Sequence, residues 1–372
     1  MNYGDEIVVS PKDLGYRRVQ RTGRGSYIIS LPKAWVDNIG LDKGSQLAFQ
    51  ILDDSSLLLI PRNLLEDLKS ADTQLREYHI AIQSDDDPQS LRRTLISLYV
   101  TGADVIQLHY QNMSDPTSFL EIIRDLVRNT LLGTEIIDET ADGITIQILI
   151  NHLEFPVERA LRRMVILALS ANMEAIKSLE RLPNPPTQNV FNLHNDVNRL
   201  GLYIIRQLKY GLERDLYKEL EFQTPKEFLG YRIVVNDVKN ISTNARNIAR
   251  HVTALYQMIK DQTLFLKNMI DEEIYQQIID FNAACHAFFN SALTALFKRD
   301  YQNSDENITK LESYAGRELN ILTAIANKKL DPNISALFRI ILDSSRRILE
   351  YSRNIAEVAL NRTVEDYLQN IE

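Results

Sequence analysis

The sequence predicts a mixed fold: a short β-rich region, a small α/β sandwich, and a mainly helical region of two three-helix bundles in tandem. Three observations predict it. Short apolar runs separated by turn residues open the chain, strand and helix periodicities alternate after them, and long helical periodicity with an internal repeat fills the rest. The predicted domains are residues 14–62, 77–153, 156–262 and 267–369.

The first region, from about Leu14 to Arg62, has the pattern of short strands around one short helix. Two glycines around Arg24 permit the positive φ angles of a tight turn, and Pro32 suits a first helical position. A unit of about 50 residues seldom buries enough apolar surface to fold alone, so we expect it to need a second copy. The predicted strands are Arg17–Arg21, Ser26–Leu31, Gln46–Leu52 and Ser56–Ile60.

The second region alternates strand and helix signals. Asp87-Pro88 and Asp115-Pro116 each place a capping residue before a first-turn proline, which is typical of a helix start. The predicted order of strand, helix, strand, helix, strand, strand describes a small α/β sandwich. Its strands are Tyr78–Ile82, Asp104–Tyr110 and two within Glu135–Ile150.

The third region has helical periodicity throughout. Six helices are predicted: Pro156–Arg181, Thr187–Leu220, Thr224 to about Ile259, Met269–Lys298, Asp305–Asn327, and Asp331 to about Leu368. Arg246-Asn247-Ile248-Ala249 recurs 107 residues later (353 minus 246) as Arg353-Asn354-Ile355-Ala356. The third and sixth helices are therefore predicted to be copies of each other.

The charge distribution indicates a nucleic-acid partner. The chain has a net charge of -8, yet the segment from residue 17 to residue 33 contains five cations and no acidic residue. Cations on a hairpin often simply face solvent, but five without a carboxylate repel one another, and this favours contact with a polyanion. The predicted DNA-binding residues are Arg17, Arg18, Arg21, Arg24 and Lys33.

Several classes of protein are disfavoured. No apolar run approaches the roughly 18 residues of a membrane span, so we expect a cytoplasmic protein without membrane insertion. Cys285 is the only cysteine, and its apolar neighbours predict a buried, inert thiol. We find no phosphate-cradling Gly-x4-Gly-Lys loop, no His-Glu-x-x-His and no Gly-x-Ser-x-Gly, and we expect no enzyme.

The run from Arg17 to Lys33, RRVQRTGRGSYIISLPK, resembles the swapped-hairpin DNA-binding domain of the SpoVT/AbrB superfamily. The resemblance implies that two chains interleave their hairpins into one β-barrel and so form a homodimer. It also implies DNA contacts on the first strand, the glycine turn and the helix start, which fall at Arg17, Arg18, Arg24 and Lys33; Arg21 is added because of its charge.

The helical region resembles a tandem PhoU domain, the fold of phosphate-uptake regulators. The matching segments are Ala160–Met164, Met173–Ile176, Val197–Leu200, Ile205–Leu208 and Arg353–Asn361. The whole layout is similar to archaeal PhoU-like proteins with an AbrB-type N-terminus. The resemblance implies a regulator that contacts a phosphate transporter or signalling proteins.

PhoU domains often bind a multinuclear metal cluster through acidic pairs on facing helices. The corresponding positions here are His194 and Asn198, Lys239 and Thr243, and Arg346 and Glu350. A cationic residue in a ligand position repels a metal ion, so we predict no metal site and no other cofactor. Cations on the helices near His251 and Arg346 could bind an anion in a groove of the bundle, and the sequence leaves this alternative open.

These observations favour a dimeric DNA-binding transcriptional regulator, with helical domains that sense phosphate status or a signalling partner. The alternative is a protein-interaction regulator of a phosphate transporter or sensor kinase, in which the N-terminal region serves only dimerisation.

Overall fold

The chain divides after Gln74 into two units, residues 1–74 and 75–372. A computed structural model describes residues 16–23, 25–51, 55–62, 64, 75–113, 115–150, 155–180, 187–214, 216–261, 271–328 and 330–369. The predicted boundary between the two helical bundles, residues 262–267, lies outside the described residues.

In the first unit, the described residues include two β-hairpins and the short helix between them. Strands β1 (Gln20–Thr22) and β2 (Ser26–Ile28) pair antiparallel, helix α1 spans Lys33–Asn38, and strands β3 (Leu47–Ile51) and β4 (Leu57–Pro61) form the second antiparallel pair. Each pair is a separate two-stranded sheet, and the described residues of one chain form no closed barrel. The predicted strand order is confirmed, while a barrel built by two chains stays a prediction.

Glycine shapes the turn of the first hairpin. Gly23 and Gly25 have φ angles of 53° and 116°, a region that side chains with a Cβ seldom enter. Helix α1 starts one residue later than predicted, because Pro32 is extended and acts as the cap. Its carbonyl oxygen accepts hydrogen bonds at 3.0 Å from the amides of Trp35 and Val36.

The second unit begins with the predicted α/β sandwich. Its elements are β5 (Glu77–Gln83), α2 (Pro88–Thr101), β6 (Val105–Gln111), α3 (Thr117–Asp125) with a π-helical turn at Leu126–Thr130, β7 (Thr134–Thr140) and β8 (Gly143–Ile148). The strands lie in the order β5-β6-β8-β7, with β5 and β6 parallel and the other pairs antiparallel. Asp87 caps α2 as predicted, since its carboxylate accepts hydrogen bonds from the amides of Gln89 and Ser90.

The described residues after the sandwich form seven helices: α4 (Val157–Glu180), α5 (Gln188–Glu213), α6 (Glu227–Lys260), α7 (Glu272–Lys298), α8 (Tyr301–Thr309), α9 (Leu311–Asn327) and α10 (Pro332–Gln369). The second bundle therefore has four helices in the described residues, not the predicted three. The Asp300 side chain starts α8 by accepting a hydrogen bond from the Asn303 amide, and a turn at Lys310 separates α8 from α9. Helix α5 ends at Glu213 and does not reach the predicted Leu220.

The predicted repeat occupies matching positions. Helices α6 and α10 pack against each other, and each carries its copy of the repeated sequence. Repeat-related residues are buried in both copies: Ile241 with Ile348, Ile248 with Ile355, and Ala249 with Ala356. Residues from both bundles belong to one continuous hydrophobic core, so the two copies are packed together.

A buried arginine joins the α/β sandwich to the helices. Arg206 of α5 is only 1% exposed; its Nη1 donates to the carbonyl oxygens of Tyr99 and Ala103 at 2.8 and 2.7 Å. Its Nη2 donates to Asp104 at 2.9 Å, and the other Asp104 carboxylate oxygen accepts from the Arg76 amide. One guanidinium thus satisfies the carboxyl end of α2 and a carboxylate together.

Replacing this guanidinium is expected to destabilise the second unit. Arg206→Leu leaves Asp104 without its buried partner and removes one donor from each of two carbonyl oxygens, which should lower the free energy of unfolding by about 3 kcal/mol. Urea unfolding followed by circular dichroism measures it. Arg163→Leu, an exposed arginine of α4, is the control and is expected to change stability by less than about 0.5 kcal/mol. Equal destabilisation in both variants would contradict the role given to Arg206.

Asp237 makes stability depend on pH. Burial raises the pKa of Asp237 to about 6, partly offset by a hydrogen bond with Asn354. As pH rises from about 4 to about 6, the unfolded chain releases the Asp237 proton before the folded chain does, so the free energy of unfolding decreases. We expect Asp237→Asn to match the wild type near pH 4 and to exceed its stability by about 2 kcal/mol near pH 8. Asp305→Asn, at an exposed site, is expected to give a curve parallel to the wild type, and a parallel curve for Asp237→Asn would refute the prediction.

Candidate nucleic-acid interface

The predicted DNA-binding residues lie on the first hairpin and the following helix. Arg21 is inside β1, directly opposite Tyr27 of β2. Arg17 and Arg18 immediately precede β1, and Lys33 is the first residue of α1. Arg24 lies outside the described residues. The structure therefore places three arginines within five residues at the start of the hairpin and puts Lys33 on a separate element.

These four cations are free to meet an anionic ligand. Arg17, Arg18, Arg21 and Lys33 are all exposed, and within the described part of the chain none forms an ion pair. Arg17 does donate one hydrogen bond from its guanidinium to the carbonyl oxygen of Tyr16, at 3.0 Å. Their positive charge is thus not neutralised by a neighbouring carboxylate among the described residues.

The second hairpin exposes an apolar face. Residues directly opposite each other in an antiparallel pair share a face, and on one face of β3 and β4 every such residue is apolar. Phe49, Ile51 and Leu57 on that face are 66%, 77% and 51% exposed. The pairs are Leu47 with Pro61, Phe49 with Leu59, and Ile51 with Leu57.

The described residues of the first unit enclose no hydrophobic core of their own. Of its described residues only Pro61 is buried, and neither hydrophobic core of the protein includes a residue of this unit. Tyr27, Ile28 and Ile29 of the first hairpin are also more than half exposed. Exposed apolar strands of this kind are stable in water only when another surface packs on them. A second copy of the chain has the same strands and can pack on them in a closed, symmetric dimer.

The positions aligned with family metal ligands bind one another. The Asn198 amide lies 2.8 Å from one ring nitrogen of His194, and the Ser242 hydroxyl lies 3.2 Å from the other. Burial and the charges of Arg246 and Lys239 lower the pKa of His194 to about 4, so its ring is neutral at pH 7. These residues do not fit a family-style cluster, because the nearest charged groups are cations.

The same mismatch occurs in the second bundle. Arg346 pairs with Asp343 at 2.7 Å, with Glu318 at 3.4 Å and with Glu350, so the acidic residues there are already neutralised. Among the described residues no three His, Cys, Asp or Glu side chains are grouped to hold a metal ion. Cys285 is buried as predicted, and burial raises the pKa of its thiol to about 12. The lack of a cofactor stays a prediction.

In the described part of the chain, no helix combines the length and the apolar character that crossing a bilayer requires.

The five cations are evident in the sequence, whereas the exposed apolar face of the second hairpin was not predicted. The signal was present as alternation: Leu47, Phe49 and Ile51 occur at every second position in one strand. The register with β4 is needed to show that the residues opposite them are also apolar.

One comparison with known proteins agrees with the predicted resemblance of the first unit. Residues 20–66 match the family model for antidote-toxin recognition MazE, bacterial antitoxin, which places a MazE/AbrB-type domain in the first unit. Among curated proteins no match is found.

Two solved structures resemble the chain. PhoU from Pseudomonas aeruginosa is 19% identical, with a TM-score of 0.48 over 57% of this chain and 98% of that chain. The phosphate transport system regulatory protein PhoU from Streptococcus pneumoniae is 15% identical, with a TM-score of 0.45 over 58% of this chain and 94% of that one. The archaeal origin suggested by the motifs stays a prediction.

The exposed apolar face predicts how the protein assembles. We expect the full-length chain to be a dimer and Ile51→Asp to be a monomer, because the carboxylate would lose its hydration inside the interface. Sedimentation equilibrium gives the mass, and circular dichroism shows whether the helical core of the second unit is retained. Gln50→Asp, the adjacent residue on the other face, is the matched control and is expected to remain dimeric. A monomeric wild type, or a folded Ile51→Asp dimer, would contradict this assembly.

Proposed function

We propose that the protein is a dimeric DNA-binding transcriptional regulator whose first units, one from each chain, combine into a single DNA-binding β-barrel. The observation that carries the proposal is the set of exposed, unpaired cations Arg17, Arg18, Arg21 and Lys33 in the described part of a chain with a net charge of -8. Dimerisation doubles this set on one surface. A polyanionic duplex relieves the repulsion within it.

Arg21, which lies on a strand, would contribute to DNA binding differently from the other three cations. Contacts with backbone phosphates supply affinity and its salt dependence but no sequence information. An arginine on a strand, as Arg21 is, can also donate two hydrogen bonds to the edge of guanine in the major groove. We therefore infer that Arg21 contributes to sequence choice, while Arg17, Arg18 and Lys33 mainly hold the duplex.

The helical part is proposed to sense phosphate status or a signalling partner, in the cytoplasm and without catalytic activity. The sequence motifs shared with PhoU domains support this role. The match of residues 20–66 to an antitoxin family supports the DNA-binding role of the first unit. An effector bound to the helices would regulate DNA binding only as far as it prefers one conformation of the dimer over another.

The test is a titration of duplex DNA at several salt concentrations. Arg18→Ala combined with Arg21→Ala is expected to weaken binding at least tenfold, or by about 1.4 kcal/mol or more, because each dimer then has four fewer cations. The slope of log affinity against log salt should become shallower by about 0.9 for each backbone phosphate that the variant no longer neutralises.

The matched control removes two exposed cations elsewhere, Lys43→Ala with Arg163→Ala, and should retain both affinity and slope. Unchanged affinity in the Arg18 and Arg21 variant would refute the site. A stable wild-type dimer that binds no DNA from a random duplex pool, yet retains a transporter subunit or sensor kinase, would support the interaction regulator instead. The exposed apolar face of the second hairpin supports dimerisation under either function.

A further inference from the structure

A cleft of about 370 Å³ lies where the α/β sandwich meets the first helices. Helix α2 contributes Arg92, the π-helical turn contributes Thr130, and α5 and α6 contribute Arg199 and Lys239. Ile96 and Leu202 give the cleft an apolar part. The site is therefore built from four elements that are distant in sequence.

The charges in the cleft do not balance. Asp125 is its one acidic lining residue among those described, and it already accepts hydrogen bonds from Arg92 at 2.8 Å and Asn129 at 3.0 Å. These two bonds lower the pKa of Asp125 and fix its charge. The side chains of Arg199 and Lys239 form no ion pair or hydrogen bond with any described residue. Two positive charges thus remain without a counter-ion in the described part of the chain.

Burial makes this imbalance costly. Arg199 is half-buried, and its Nε is fully shielded from solvent without a hydrogen-bond acceptor among the described residues. A shielded guanidinium N–H loses its hydration and gains nothing in return. An anion in the cleft would accept this hydrogen bond and neutralise the charge, so its binding would relieve the cost of burial.

The donor set indicates the class of anion. A single arginine is enough to bind the planar carboxylate group with two hydrogen bonds. Here a guanidinium, an ammonium and a hydroxyl come from different elements, which suits the several oxygens and higher charge of a tetrahedral phosphate. The Thr130 hydroxyl accepts from Arg92 at 3.3 Å, and its own proton is left to donate.

We propose that this cleft binds a phosphate-type oxyanion, either inorganic phosphate or the phosphate group of a small ester, through Arg199 and Lys239 with Arg92 and Thr130 in support. The volume of the cleft admits both forms. The role of this anion as the effector of a regulator rests on the proposed function. Its binding to the second unit does not depend on whether the protein binds DNA.

The site also has a mechanical consequence. Arg92 and Thr130 belong to the α/β sandwich, whereas Arg199 and Lys239 belong to the helices. One anion held by both sets favours the arrangement in which the cleft is closed.

Isothermal titration calorimetry of the full-length protein at constant ionic strength tests the site, with sodium phosphate and glycerol phosphate as separate probes. We expect saturable binding of at least one probe. Arg199→Gln combined with Lys239→Gln should weaken that binding at least tenfold. Arg163→Gln with Lys209→Gln, two exposed helical cations outside the cleft, should leave it unchanged.

The outcomes separate the two sources of phosphate. Binding of sodium phosphate identifies the free ion, and binding of glycerol phosphate alone identifies an ester. No saturable binding of either probe to the wild type, or equal binding by the cleft variant, would overturn the inference. The cleft variant should retain DNA affinity in phosphate-free buffer, so a failure of the DNA-binding proposal and a failure of this one give different results.

Discussion

The strands of the first unit cannot bury their own apolar side chains within one chain. The proposed DNA-binding surface depends on this constraint. Phe49, Ile51 and Leu57 are mostly exposed within one chain, and Pro61 is the only buried residue described in the unit. A surface of this kind must be covered by another protein surface before the hairpins acquire a fixed shape. In the proposed dimer, the cover of these strands would also fix the spacing of the arginines at the start of the first hairpin, so the proposed DNA recognition would depend on dimerisation.

The second unit differs, because it has a large hydrophobic core. Its α/β sandwich and its helices must be held in a fixed relative position. Arg206 does this with one buried guanidinium that meets two carbonyl oxygens and Asp104. Such a group adds little net stability, since its desolvation offsets most of the attraction. Its directional hydrogen bonds fix where the carboxyl end of α2 lies on α5. The proposed oxyanion cleft is lined by residues of the same two helices, so Arg206 joins two of its walls.

Local signals predicted most of the elements. Asp87 and Pro88 mark the start of α2, and the glycines at 23 and 25 adopt the positive φ angles that their turn needs. The Ile and Ala of each repeated Arg-Asn-Ile-Ala segment are buried, one copy in α6 and the other in α10. Each of these features depends on residues a few positions apart, which a sequence displays directly. The break at Lys310 carries no glycine or proline, so nothing local marked it.

Features that depend on distant residues could not be predicted in the same way. The sequence marks Lys239 only as a poor metal ligand and gives no sign that Arg92 and Arg199 act with it, because the three lie on separate elements. Only the fold brings them around one cleft, and only burial shows that Arg199 lacks an acceptor among the described residues. The same reasoning explains why a cation at a family metal position has two meanings. In the sequence Lys239 argues against a metal ion, whereas in the structure it lies beside the unpaired Arg199 in the proposed cleft and favours an anion. A change in the sign of the ligand can thus preserve the position of a site while its chemistry is reversed.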